Sequence, residues 1–131
     1  MAPDFSRRRG TSIGYSAAAA DPRVLDLAHL ARYTVGNREF EEELLRLFRS
    51  QLRTQVTAIT HAVDADQWRF ATHTLKGVAR SIGAWSIADT AERLEQLGHD
   101  GDCCRLLEML EAEIAACEHE IDRNLALPPA P

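Results

Sequence analysis

The chain has 131 residues, of which 45% are hydrophobic and 27% charged, and this suits one compact domain rather than a two-domain enzyme. Twenty acidic against fifteen basic side chains give a net charge of -5, which disfavours a nucleic-acid module that depends on neutralising phosphates. No stretch approaches the roughly 20 apolar residues that a membrane span needs. We therefore expect a cytoplasmic protein that binds neither nucleic acid nor membrane.

The cysteines argue against disulfide bonds and metal sites. There are three, with Cys103 adjacent to Cys104 and Cys117 alone. This pattern suits neither a disulfide framework nor the paired spacing of a zinc site. We expect reduced thiols, and no metal or cofactor held by this chain.

Composition divides the chain into a leader, a domain and a tail. Residues 1–21 include a run of three arginines and several scattered glycines and serines, but no sustained apolar face. This composition predicts a flexible leader. Residues 128–131 include three prolines and predict a disordered tail. Ala, Leu, Glu and Arg are abundant in the domain between them, residues 22–127, and only 6% of the chain is aromatic. We expect this domain to be all-helical.

Hydrophobic periodicity predicts two helices in the first half of the domain. Asp21 as N-cap and Pro22 in the first turn begin a short helix that ends near Tyr33. Gly36 and Asn37 separate it from one long amphipathic helix of about 25 residues. The apolar residues of the long helix recur every three or four positions: Phe40, Leu44, Phe48, Leu52, Val56, Ile59 and Val63.

Three further helices are predicted in the second half. Asp66 is the expected N-cap of the third helix, which ends at Gly83, and the fourth helix ends at Gly98 before a short polar turn. The apolar positions are Phe70 or Ala71, Leu75, Val78 or Ala79, and Ile82 in the third helix; Ala84, Ile87, Ala88, Ala91 and Leu94 in the fourth; and Leu107, Leu110, Ile114, Cys117 and Ile121 in the last. Four long helices joined by short turns predict an antiparallel up-down four-helix bundle with a short additional N-terminal helix.

The residues that are the best candidates for chemical function lie on the outward face of the third helix. Helical spacing brings five of them together: Arg69, His73, Lys76, Gly77 and Arg80. Gly77 costs about 1 kcal/mol relative to alanine inside a helix, which indicates that something comes close there. Lys76 lies three residues after His73, so its ammonium can reach a group attached to the imidazole. The pattern predicts an outward imidazole that carries an anion and is approached by a second protein.

A short motif gives these residues a family resemblance. The sequence H-T-L-K-G at residues 73–77 resembles the H-x-L-K-G signature of histidine phosphotransfer domains, which relay phosphoryl groups between receiver domains in two-component signalling. Gly83, Ala84, Leu94 and Glu95 follow at family-like spacing, and the resemblance spans about residues 24–125. It implies a phosphoryl carrier without ATP-dependent kinase activity.

The resemblance also implies a role for each site residue. His73 would accept the phosphoryl group on Nε2 from the phospho-aspartate of one receiver and pass it to the aspartate of another. Lys76 would neutralise the phosphoryl oxygens, and Gly77 would leave room for the receiver's active-site loops. Glu95 lies where similar domains carry a side chain that hydrogen-bonds Nδ1, and such a bond selects the tautomer with a free lone pair at Nε2.

The expected partners are receiver domains of response regulators or hybrid histidine kinases. A receiver should dock on the exposed face of the third helix at Arg69, Gly77 and Arg80, with Val78 and Ala84 near the edge of the interface. The Mg²⁺ ion would belong to the receiver, and we expect the present chain to be a monomer.

Other functions fit the sequence less well. A kinase would need a nucleotide loop such as G-x-x-x-x-G-K-[ST], a di-metal bundle would need Glu-x-x-His pairs on two helices, and neither motif occurs. A phosphorylation-independent helical adaptor, or an inhibitor of a signalling kinase, remains an alternative. Plainer roles also remain: Lys76 as a solvated charge, Gly77 as a packing residue, Glu95 as the partner of a neighbouring charge, and Trp68 as a packing residue near a helix end.

Overall fold

The computed structural model describes residues 21–126, which form five α-helices and, within that range, no β-strand. In chain order the helices are α1 (Leu27–Thr34), α2 (Arg38–Thr60), α3 (Ala65–Ile82), α4 (Trp85–Leu97) and α5 (Cys104–Ala126). The expectation of an all-helical domain is confirmed over this part of the chain. The predicted leader, apart from Asp21, and the predicted tail lie outside the described residues. None of the described helices combines the length and the apolar character that crossing a membrane requires.

The four long helices pack around one core. Helix α2 contacts α3, α3 contacts α4, α4 contacts α5 and α5 contacts α2, while α1 packs on α2 and α3. The largest fully buried side chains come from every helix and from the segment before α1: Leu25, Leu30, Leu45, Leu52, Ile59, Leu75, Ile82, Ile87, Leu94, Leu110, Ile114 and Ile121. Burial of each such side chain stabilises the fold by roughly 1.5–3 kcal/mol. The helices therefore form a bundle, and their up-down order remains a prediction.

Polar side chains and glycines mark the helix ends. Asn37 is the N-cap of α2, and its side-chain oxygen accepts a hydrogen bond from the backbone N–H of Phe40. It lies at the predicted break between the first two helices. Asp64 caps α3 in the same way, so the prediction of Asp66 as the cap was wrong by two residues, and Asp66 lies in the first turn. Gly83 and Gly98 are the C-caps of α3 and α4, at the predicted ends of these helices, and both have positive φ.

The first helix begins later than predicted. Its N-cap is Asp26 rather than Asp21, and the helix starts at Leu27. Asp21 caps a separate turn, in which its carboxylate accepts the N–H two residues on at 2.9 Å. The chain then runs on without helix so that Leu25, which is 1% exposed, enters the core. Tertiary packing thus overrides the local signal of Asp21 and Pro22.

Three apolar residues named in the predicted core stripes are exposed: two that periodicity assigned to the core, and Phe70, which was one of two alternatives for a core position. Val63, at 74% exposure, follows the end of α2, where helical spacing no longer applies. Phe70 is also 74% exposed, because its neighbour Ala71 occupies the core position and adjacent helical residues point about 100° apart. Phe40, 41% exposed, lies in the first turn of α2. Two of these three residues bear on the candidate site below.

Residues 21–26, here called the N-terminal strap, hold the turn between α3 and α4. The N–H of Asp26 donates to the carbonyl of Gly83 at 2.9 Å, and the N–H of Ser86 donates to the carbonyl of Arg23 at 2.9 Å. The second bond matters because α4 is capped by an alanine that offers no side-chain acceptor. The strap therefore satisfies one of the free N–H groups at the start of α4 and fixes that end of the helix.

Replacing Gly83, which lies against the strap, should lower the free energy of unfolding more than replacing Gly36, which has the same φ. Gly36 and Gly83 both have φ +78°, and this left-handed conformation costs other residues about 1–2 kcal/mol. An added Cβ meets nothing within 4 Å at Gly36, but at Gly83 it lies 2.7 Å from the Cβ of Asp26. We expect urea unfolding to show a loss of about 1–2 kcal/mol for Gly36→Ala and a clearly larger loss for Gly83→Ala. Equal losses would show that the strap does not pack tightly on this turn.

Candidate functional site

His73 projects from α3 with 69% of its side chain exposed, and its ring contacts a residue of α4. Its Nδ1 lies 3.2 Å from Oε2 of Glu95. An ionised carboxylate only accepts hydrogen bonds, so Nδ1 carries the hydrogen and donates it. The neutral ring then keeps its lone pair at Nε2. The structure brings together the two residues for which the family resemblance implied this bond.

The carboxylate of Glu95 is shared between two donors. Its second oxygen, Oε1, accepts a hydrogen bond from Nζ of Lys76 at 2.8 Å, and the side chains of Glu95 and Lys76 are only 22% and 15% exposed. The hydrogen bond from Lys76 lowers the pKa of Glu95 below its ordinary value of 4.5, with a smaller contribution from His73 and against the opposing effect of burial. Glu95 is therefore ionised at neutral pH, and its ion pair weakens only as the pH falls below the ordinary carboxyl range.

Lys76 has a partner within the protein. Its ammonium bonds the carboxylate of Glu95, which also meets Nδ1 of the imidazole. In the described structure Lys76 thus compensates the charge of Glu95 and helps to hold it. Its contact with a phosphoryl group remains a prediction.

Gly77 leaves an open space one turn after His73. An added Cβ there would meet no heavy atom within 4 Å. The two arginines that flank the space are each held by a carboxylate, Arg69 by Asp66 at 3.0 Å and Arg80 by Glu92 at 3.0 Å. The surface around His73 is therefore open in shape and close to neutral in charge.

The predicted interface residues divide by burial. Arg69, Gly77 and Arg80 are exposed, and Val78 is half-buried. Ala84 is 0% exposed, so it has no surface to offer a partner and its assignment to the interface was wrong. A small apolar residue after a helix-ending glycine fits a packed turn as well as an interface, and the sequence pattern does not separate the two.

Periodicity did not find the apolar surface on either side of Gly77. Phe70 lies exposed one turn before His73. Beyond Gly77, a groove of about 350 Å³ lies between α1, α2 and the end of α3, and its lining residues are Leu30, Tyr33, Phe40, Leu44, Phe48 and Ser81. The Ser81 hydroxyl donates to the carbonyl of Gly77 at 2.9 Å, which places the groove next to the open space. The sequence signal for this groove was the presence of three aromatic residues, Tyr33, Phe40 and Phe48, in α1 and α2. Phe40 and Phe48 also fitted the predicted core stripe of α2, so they were not recognised as residues of a surface groove.

Comparison with known protein families agrees with this geometry. A family model described as the Hpt domain matches residues 43–125, a range that contains α3, α4 and most of α2 and α5. The match covers more than half of the chain, and the chain belongs to the Hpt family. Hpt domains are histidine phosphotransfer modules that carry phosphoryl groups in phosphorelays, where they interact with receiver domains, and they are not kinases in the general sense. Searches of curated proteins and of solved structures gave no match.

Removal of the Glu95 carboxylate should change the tautomer of His73. We expect ¹⁵N NMR in alkaline buffer, where imidazoles are neutral, to show mainly the Nδ1–H form in the wild type and a marked shift towards Nε2–H in Glu95→Ala. Glu95→Gln keeps an amide oxygen that accepts a hydrogen bond, so it should retain part of the preference. His61 is an internal control, because its Nδ1 lies 2.9 Å from the carbonyl of Thr57 and has no bond to Glu95 among the described contacts. An unchanged His73 tautomer in Glu95→Ala would show that this bond does not orient the ring.

Proposed function

We propose that the protein accepts a phosphoryl group on Nε2 of His73 from the phospho-aspartate of one receiver domain and passes it to the aspartate of another. The observation that carries this proposal is the hydrogen bond between Nδ1 of His73 and the ionised Glu95, because it leaves the nucleophilic lone pair on the exposed side of the ring. The open space at Gly77 supports it, since a receiver must bring its own aspartate close to Nε2.

The bond changes are balanced without any other reactant. The Nε2 lone pair attacks phosphorus, the N–P bond forms, the P–O bond to the receiver's aspartate breaks, and that aspartate leaves as a carboxylate. Nδ1 keeps its hydrogen throughout, so the phosphorylated ring becomes cationic and its charge faces Glu95. The second receiver reverses these changes, and Nε2 recovers its lone pair. Mg²⁺ is assigned to the receiver's site.

Glu95 and Lys76 have complementary roles in this mechanism. The carboxylate stabilises the positive charge that develops on the ring. Lys76, three residues from His73, is close enough for its ammonium to move from Glu95 towards the phosphoryl oxygens when their negative charge arrives. The loss of Lys76 should therefore affect the phosphorylated state more than the fold.

The docking face combines a polar centre with apolar flanks. We assign to it His73, Gly77 and the two flanking arginines, with Val78 at its margin. We add Phe70 and the aromatic groove, since aromatic side chains are enriched at protein interfaces. A helical adaptor could use the same groove, but it would need neither the outward imidazole nor the shared carboxylate. The carrier is proposed to act as a cytoplasmic monomer with an up-down helix order.

A transfer assay tests the carrier residue directly. With a ³²P-labelled receiver as donor, wild-type protein should take up label that is acid-labile and fairly stable in base, as expected of a phosphoramidate. His73→Gln should take up none. The matched control is His119→Gln, which removes an exposed histidine of α5 and should leave uptake unchanged. Label on His73→Gln would contradict the assignment, and a panel of receivers ranked by transfer rate would identify the partners.

Filling the space at Gly77 should impair docking without harming the fold. Leucine is a better helix former than glycine by up to about 1 kcal/mol, and an added Cβ at Gly77 has no neighbouring atom within 4 Å. We expect Gly77→Leu to be at least as stable as wild type in urea and to receive phosphoryl at least about tenfold more slowly. Ala115→Leu, on the exposed surface of α5, should alter neither property substantially. Wild-type transfer by a folded Gly77→Leu protein would refute this docking face.

A further inference from the structure

Trp68 makes a buried hydrogen bond that joins α3 to the backbone of α4 directly beside Glu95. The side chain of Trp68 is 4% exposed, and its Nε1–H donates to the carbonyl oxygen of Leu94 at 2.9 Å. Trp68 precedes His73 by five residues on α3, and Leu94 precedes Glu95 on α4. One bond therefore links the backbone at Glu95 to the helix that carries His73.

The bond acts at the end of α4 that most needs support. The start of α4 is held by the N-terminal strap, through the bond from Ser86 to Arg23. Glu95 lies in the last turn, where helices fray because their final carbonyls lack intrahelical partners. The carbonyl of Leu94 accepts both the N–H of Gly98, which closes this turn, and the indole N–H of Trp68. Trp68 thus ties the last turn of α4 to α3.

The geometry at His73 tolerates little displacement. The distance of 3.2 Å between Nδ1 and Oε2 lies at the long end of the range for such hydrogen bonds, and about half an ångström more would break it. Lys76 cannot fix this distance by itself, because a lysine side chain is long and flexible and can follow the carboxylate. A rigid indole bonded to the backbone can fix it.

We infer that Trp68 is a positioning residue, whose indole N–H holds the last turn of α4 where Glu95 meets Nδ1 of His73. The ring of Trp68 is itself supported by His99, at a centroid distance of 5.8 Å, and Nε2 of His99 lies 3.1 Å from the carbonyl of Ala62 in the loop before α3. The inference rests on the proposed function for its consequence in transfer. Its structural content, the tautomer of His73, is measurable without any partner.

The first experiment compares two tryptophan variants. Trp68→Phe keeps an aromatic ring and removes the donor to Leu94. Trp85→Phe is the matched control, because it removes the indole bond to Oδ2 of Asp26, 3.1 Å long, at the opposite end of α4. Both variants should lose some stability in urea, but only Trp68→Phe should shift His73 towards Nε2–H in ¹⁵N NMR. We expect its phosphoryl transfer to slow about tenfold and that of Trp85→Phe to change less than about twofold.

A second comparison tests whether Trp68 acts through Glu95. In the Glu95→Ala background, Trp68→Phe should slow transfer no further, because the group that it positions is gone. If Trp68→Phe does not fold, a tryptophan analogue with sulfur in place of N–H can be incorporated into the Trp85→Phe chain, where it preserves the ring shape at residue 68. That protein should show the same tautomer shift.

Either of two results would overturn the inference. One is a wild-type His73 tautomer in folded Trp68→Phe or in the analogue protein. The other is that Trp68→Phe slows transfer in the Glu95→Ala background by as much as it does in the wild type. Failure of the proposed function looks different. In that case wild-type protein takes label from no receiver, while the tautomer shift caused by Trp68→Phe still supports the positioning role.

Discussion

The site depends on one carboxylate that two donors share. Glu95 accepts from Nδ1 of His73 through one oxygen and from Lys76 through the other. An ionised carboxylate without a partner would leave an uncompensated negative charge beside the imidazole. The ammonium of Lys76 offsets that charge. In the proposed mechanism, Glu95 orients the ring before transfer and stabilises the cationic ring that forms when phosphorus is bound.

The bundle places Glu95 beside His73 by fixing both ends of α4 against α3. At the turn, the strap crosses Gly83, where there is no room for a Cβ beside Asp26, and supplies an acceptor to the start of α4. At the far end, Trp68 bonds the backbone next to Glu95. Between these points the helices pack through small residues such as Ala79 and Ala91, both fully buried. Close packing of this kind limits sliding of one helix along the other, so the position of Glu95 is set by the fold.

Local periodicity predicted well what lies on one helix and poorly what depends on contacts between elements. His73, Lys76 and Gly77 share α3, so their spacing alone places them together. Glu95 lies 22 residues from His73 in the sequence, and its hydrogen bond was implied by family resemblance. Phe70 and Ala71 are adjacent apolar residues, and only the packing of α3 decides which of them is buried. The start of α1 was misplaced because the bond from Asp26 to Gly83, which a sequence pattern does not contain, sets where that helix begins.

The charges around His73 suit the proposed carrier, which would bind two receivers in turn. Arg69 is paired with Asp66 and Arg80 with Glu92, so the face presents little net charge to a partner. Exposed ion pairs contribute less than about 1 kcal/mol, and their arginines can exchange one carboxylate for another at small cost. Apolar contacts with Phe70 and the groove are non-directional and make no demand on the partner's charge. In the proposed carrier, a surface of this composition would suit different receivers, and discrimination between them would depend on the charged side chains around His73.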